Sequence, residues 1–177
     1  MNPSPLIVAD LDEELGRHHR AAFGWALACC RWDRNVAEDV LQTSYLKIVD
    51  GRARFAGESE FRTFLFGVIR RTASEDRRRR AVRAVASFGF FDSEIDHVNA
   101  SGLAPIIREE TSRELLAALA KLSARQREVL HLVFYQELTI AGEAEVLGIS
   151  LGSARAHYER GKANLRRILG VNGANAE

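Results

Sequence analysis

Apolar residues recur at three- and four-residue spacing through almost the whole chain, while runs that alternate apolar and polar at every second position are scarce. A repeat of that period lines one stripe of a helix and scatters over both faces of a strand, so the sequence predicts an all-α protein. The longest apolar run, AAFGWALACC, is about half of what crosses a bilayer, and no positively charged start precedes it. No membrane insertion is expected, and the cytoplasm is the expected compartment.

Residues 11–31 read as one helix, with Leu15, Ala22, Trp25, Leu27 and Cys29 as core candidates. A second runs from about Ala37 to Val49, with Val40, Leu41, Tyr45 and Ile48 inward, and ends near Gly51. After FAGES, where Gly57 breaks the chain and Ser59 is a candidate cap, a third helix opens at EFRTFLFG and reaches four consecutive arginines, Arg77–Arg80. The pattern is lost over 81–108, SFGFFDSEIDHVNASGLAP included, and Pro105 closes that stretch. Helical spacing resumes in ELLAALAKL. Ser123 with Gln126 forms a capping-box signature before VLHLVFYQEL, Thr139 is placed to cap a short helix that Gly148 ends, and Ser150 to cap a last helix reaching about Leu169. The expectation is two small helical domains, 11–80 and 111–170, joined by a flexible linker over 81–110.

The net charge of +1 gives no long-range attraction to nucleic acid. Clustering does. Residues 51–83 hold ten Arg against four acids, and residues 150–170 hold five Arg or Lys against Glu159 alone, whereas 84–110 is net acidic. Arginine supplies 22 of the 25 basic residues. It suits phosphate and guanine contacts, although GC-rich coding produces the same bias. Cys29 and Cys30 are adjacent, too close for ordinary bridge geometry, and read as packed thiols.

The segment TIAGEAEVLGISLGSARAHYERGKANLRRI has the layout of a helix-turn-helix: a short helix, a glycine turn and a capped second helix. At 100° per residue the second helix turns Leu151, Ala154, Tyr158, Gly161, Leu165 and Ile168 inward. Gly152, Ser153, Ala156, Glu159, Arg160, Ala163 and Arg167 face outward, flanked by Arg155 and His157. Small residues at its start admit close approach to DNA, and the arginines reach bases or phosphates. On the third helix the same projection lines Phe61, Leu65, Val68 and Thr72 on one side, with Phe64 at the margin. Phe66, Arg70, Ser74 and Arg77 fall on the other, beside Thr63 and Gly67. An exposed ring among guanidinium groups suits single-stranded nucleic acid, and Phe55 in the preceding loop offers a second platform.

VAEDVLQTSYLKIV followed by RFAGESEFRTFLFGVIRRTASEDRRRR resembles region 2 of bacterial sigma factors of the extracytoplasmic-function type. LSARQREVLHLVFYQELTIAGEAEVLGISLGSARAHYERGKANLR resembles their region 4. The resemblance implies a protein that brings core RNA polymerase to promoter DNA, region 4 reading the minus-35 duplex and region 2 reading and melting the minus-10 element. It implies core-polymerase contacts at Asp39, Gln42 and Thr43. Minus-10 contacts would fall at Phe55, Ser59, Arg62, Phe66, Arg70 and Arg77, with Phe55 and AGES holding a flipped base. Minus-35 contacts would fall at Ser153, Arg155, Ala156, Glu159 and Arg160. An anti-sigma factor is a further partner that the resemblance permits, and Asp92, Glu94 and Asp96 would imitate nucleic acid along a polymerase channel. Thr43 stands where the family usually has Glu, Phe64 where it has Trp, and Glu143 where it has an apolar residue. Ala156, His157 and Glu159 likewise stand for more usual polar or basic residues.

Two other classes compete. A helix-turn-helix regulator acting without polymerase leaves AEDVLQ and the aromatic-basic helix unexplained. An enzyme finds little support: Glu14 and His18 lie one turn apart beside His19, but no second ligand pair has comparable spacing and no phosphate loop appears. No catalytic residue, metal or cofactor is expected.

Overall fold

A computed structural model describes residues 8–86 and 110–170, and every regular element among them is a helix. They are α1 (Val8–Cys29), α2 (Arg34–Val49), α3 (Phe61–Ala86), α4 (Glu110–Ala120), α5 (Ala124–Leu130), α6 (Ile140–Leu147) and α7 (Leu151–Ile168). A single π-helical turn, His131–Tyr135, prolongs α5. The chain divides into two compact units between Asn99 and Ala100.

In the first unit α1, α2 and α3 pack pairwise against one another. The apolar periodicity closes on Trp25, Leu65, Phe66 and Ile69, all 0% exposed. Trp25 Nε1 donates to the Phe66 carbonyl at 3.0 Å, which gives the buried indole the partner it needs. α1 closes at Cys29 without glycine, through a left-handed pair, Arg31 (φ 56°) and Trp32 (φ 65°). Asp33 then caps α2, accepting from Val36 N at 3.1 Å, so α2 starts three residues before Ala37.

Glu60, not Ser59, stands at the entry of α3: the helix begins at Phe61 and the Glu60 carbonyl accepts the Phe64 N–H at 3.1 Å. α3 also continues past the arginines to Ala86, because Ala81–Ala86 contains neither glycine nor proline. Of the stretch expected as a linker, residues 87–109, with Asp92, Glu94, Asp96 and Pro105, lie outside the described residues.

In the second unit α7 packs on α5 and α6. Gly161 allows a close α5 crossing, since a Cβ there would lie 3.3 Å from Leu130 Cγ and Cδ1, tighter than ordinary van der Waals contact. Ser123, Thr139 and Ser150 cap α5, α6 and α7 as their positions imply. The capping box at α5 is half made. Gln126 N donates to Ser123 Oγ at 3.4 Å, but its side-chain oxygen accepts from Asn164 on α7 at 3.2 Å, tying the two helices.

Candidate polymerase and nucleic-acid interfaces

On α2, Asp39 and Gln42 are exposed and Thr43 is half-buried. Leu46 and Val49, each 53% exposed, continue the same face at spacings of four and three, so the polar pair leads into an apolar end. This extension was readable from the spacing, but a helix projection cannot tell an uncovered apolar residue from a core one. Asp39 and Gln42 also border an open groove of about 510 Å³ between α1 and α2, with His19, Phe23, Arg34 and Tyr45. Its walls are held in place. Arg34 pairs with Glu38 at 2.9 Å and lies over the Phe23 ring at 5.6 Å, and His19 Nδ1 is hydrogen-bonded to the Tyr45 hydroxyl at 3.2 Å. Burial pushes that hydroxyl up to about 12, so Tyr45 stays neutral. Glu14 and His18 do approach one another, at 3.5 Å, but Glu14 also binds Arg17 and the His18 ring stacks on Phe61.

The loop from Asp50 to Glu60 turns at Gly51 (φ 71°) and Gly57 (φ 74°). Phe55 is half-buried within a three-ring cluster, its centroid 5.5 Å from Phe61 and 5.3 Å from Phe64. Ala56, Gly57 and Glu58 are exposed beside it, and Ser59 is half-buried. The loop tip therefore stands beside a cluster of three aromatic rings in which Phe55 keeps partial exposure.

Phe66 corrects the projection of α3. It is 0% exposed, its ring centroid 6.1 Å from that of Trp25, and Thr63 and Gly67 beside it are buried too. α3 packs against both α1 and α2, and over its first two turns only Arg62 and Phe64 keep even partial exposure, so no broad outer face is left there. Phe66 is a core residue with no surface for a base. Arg62 and Arg70 keep partial exposure at the margins, while Arg77 and its neighbours to Arg80 are exposed. Arg80 pairs with Asp76 at 2.7 Å and Arg79 lies 3.7 Å from Glu75. Glu75 in turn accepts from Lys47 Nζ at 2.6 Å, and that hydrogen bond, with the nearby cations, holds its carboxyl below the usual range.

On α7, Ser153, Arg155, Glu159 and Arg160 are exposed and Ala156 is half-buried, on the face expected to meet DNA. Ser150 Oγ accepts from Ser153 N at 3.2 Å and lies 2.9 Å from Ser153 Oγ. The acid among these residues is partly neutralised: Glu159 pairs with Lys162 at 3.0 Å, and the ammonium lies 4.3 Å from the Tyr158 ring centroid. Ala154 and Gly161 are buried as expected, but Leu151, the first residue of α7, is 42% exposed. Glu143 on α6 is wholly buried with neither carboxylate oxygen hydrogen-bonded, and burial pushes it up to about 7. Phe134 and Tyr135, 63% and 72% exposed, project from the π-turn. The sequence offered no sign of that turn, since an i→i+5 bond leaves no pattern in residue type.

Among the described residues no helix is long and apolar enough to cross a membrane, and no three His, Cys, Asp or Glu side chains come together as metal ligands. Residues 15–83 match the family model for sigma-70 region 2, and residues 118–167 match that for sigma-70 region 4. The chain is 30% identical over 140 residues to the ECF RNA polymerase sigma factor SigX of Bacillus subtilis, covering 77% of this chain and 72% of that one. It is 29% identical over 162 residues to the RNA polymerase sigma factor CarQ of Myxococcus xanthus, covering 91% and 90%. Among solved structures, the sigma factor RpoE of Bartonella quintana, in complex with the anti-sigma factor NepR, superposes with a TM-score of 0.73 at 23% identity, over 92% of this chain and 98% of that one. The two helical units, the capped helix-turn-helix and these matches lead to one conclusion: the chain belongs to the extracytoplasmic-function sigma factors of the sigma-70 family.

Proposed function

We propose that this chain directs core RNA polymerase to specific promoters and starts transcription there. The first unit, through residues 11–80, engages polymerase and the minus-10 element. The second, 111–170, grips the minus-35 duplex, and 81–110 links them. The observation that carries this reading is the presence on one chain, in family order, of both regions with their polar faces uncovered: Asp39 and Gln42 on α2, Arg155 and Arg160 on α7.

Polymerase docks on the α2 face, where Asp39 and Gln42 supply hydrogen bonds and Leu46 and Val49 supply apolar area. Thr43 adds a hydroxyl where a carboxylate is usual, which lowers the charge of this contact. Strand opening falls to the 55–59 loop with Arg62, Arg70 and Arg77. The Phe55 cluster backs an extruded base, offsetting unstacking of a few kcal/mol, and the guanidinium groups follow the phosphates. In the duplex, α7 enters the major groove from its capped N-terminus. Ser153 and Ala156 admit close approach, Arg155 and Arg160 donate to bases or phosphates, and Glu159, drawn toward Lys162, remains an acceptor for cytosine. A dedicated anti-sigma factor is a further proposed partner, supported by the complex in which the similar RpoE fold was solved.

The test is transcription in vitro with purified core polymerase on genomic fragments, followed by mapping of start sites. New, reproducible starts that need this chain are expected. A chain that binds DNA but neither joins core polymerase nor changes its starts would return the protein to the class of free regulators.

A further inference from the structure

Glu143 lies in the first turn of α6, the helix that supports the recognition helix, at a position of 0% exposure. Both of its oxygens lack a hydrogen-bond partner. A buried carboxylate in that state has lost its hydration and gained nothing for it, and an ionised one is costlier still. No neighbour offsets this. On the π-turn, His131 is itself held neutral, pushed down to about 4 by burial, and Tyr135 points to solvent. Glu137, in the following loop, and Glu145, on α6, are exposed. On α7, Arg155 and Glu159 are exposed, His157 and Tyr158 are half-buried, and Lys162 is engaged with Glu159. None of these charges acts on Glu143, and burial alone accounts for its shift.

We propose that Glu143 is a proton-dependent latch in the helix-turn-helix: with its carboxyl protonated α6 packs closed beneath the recognition helix, and loss of that proton to solvent favours opening of α6 and α7. The geometry carries this, because both carboxylate oxygens are closed off from solvent and unpartnered where they stand, so an anion can regain hydration only by leaving that closed packing. The sign follows from the raised value. A group that binds its proton more tightly folded than unfolded contributes stability that is fully present below about 4.5 and is lost as pH rises through about 7. The device is independent of which promoter, or which polymerase, the chain serves.

The test is amide hydrogen exchange on the full-length chain from roughly pH 6 to pH 8.5, corrected for intrinsic rates, with α2 and α3 as the internal reference. Linkage for a shift of this size predicts that protection of α6 and α7 falls about tenfold over that interval while the reference helices hold. Glu143→Gln, or Glu143→Leu should the amide variant pack poorly, should flatten the dependence. The proposal is overturned if α6 and α7 in the variants follow the same pH profile as the natural chain. It is equally overturned if the Glu143 carboxyl carbon, followed by 13C resonance, titrates below about pH 5.

Discussion

Replacing Phe66 separates a core role from a DNA-stacking role cleanly. The ring is 0% exposed and packed against Trp25, whose indole donates to the Phe66 carbonyl. Burying such a ring contributes about 1.5–3 kcal/mol, and the cavity left by alanine adds ~24 cal/mol for each Å³ that does not collapse. Phe66→Ala is therefore expected to cost about 3–5 kcal/mol, against roughly 4–12 kcal/mol for a folding unit of this size. Phe66→Leu refills much of the space and should cost only about 1–2 kcal/mol. Both tryptophans, Trp25 and Trp32, lie in the first unit, so urea unfolding followed by tryptophan fluorescence reports that unit alone. The second arm is binding of holoenzyme to single-stranded minus-10 oligonucleotides. A stacking ring would contribute about 1–3 kcal/mol to that affinity, a loss of fivefold or more in the leucine variant, whereas a core ring contributes nothing directly. A Phe66→Leu protein with natural stability and a fivefold loss of single-strand affinity would refute the core assignment.

Other outcomes follow from the same geometry. Ser150→Ala removes the acceptor for the Ser153 N–H, and should cost the second unit about 1 kcal/mol in thermal or urea unfolding read by far-ultraviolet circular dichroism. Arg160→Ala should weaken promoter binding by about 1–3 kcal/mol and change preference at a single base pair, measured by competition among minus-35 variants; uniform loss on every sequence would mark a phosphate contact instead. The hydrogen bond from Lys47 holds the Glu75 carboxyl low, so its contribution is present above about 4.5 and is lost as pH falls below that. Glu75 is 42% exposed, so solvent limits this to about 1 kcal/mol or less, and Lys47→Met should flatten the acid limb of first-unit unfolding.

The helices, the caps of α5, α6 and α7 and the turn between α6 and α7 were legible in the chain because they rest on local rules. Ser123, Thr139 and Ser150 sit where hydroxyls satisfy free N–H groups, Gly148 adopts φ 59° where other residues resist it, and the apolar stripes of α2 and α7 mark their buried sides. The resemblance to both sigma regions was equally local, carried by ordered motifs. Glu143 stood out in the sequence as an acid at an apolar position, but nothing local said that it would be left without a partner.

What only the tertiary structure decided is how much of each helix is covered. A projection assigns every helix one inner and one outer face, and that serves α7, which shows one side to solvent. It fails for α3, where α1 and α2 cover both flanks and draw Phe66 into the core, leaving the loop at Phe55 and the distal arginines as the uncovered surface. Periodicity is a property of one helix, whereas burial is a sum over all of its neighbours.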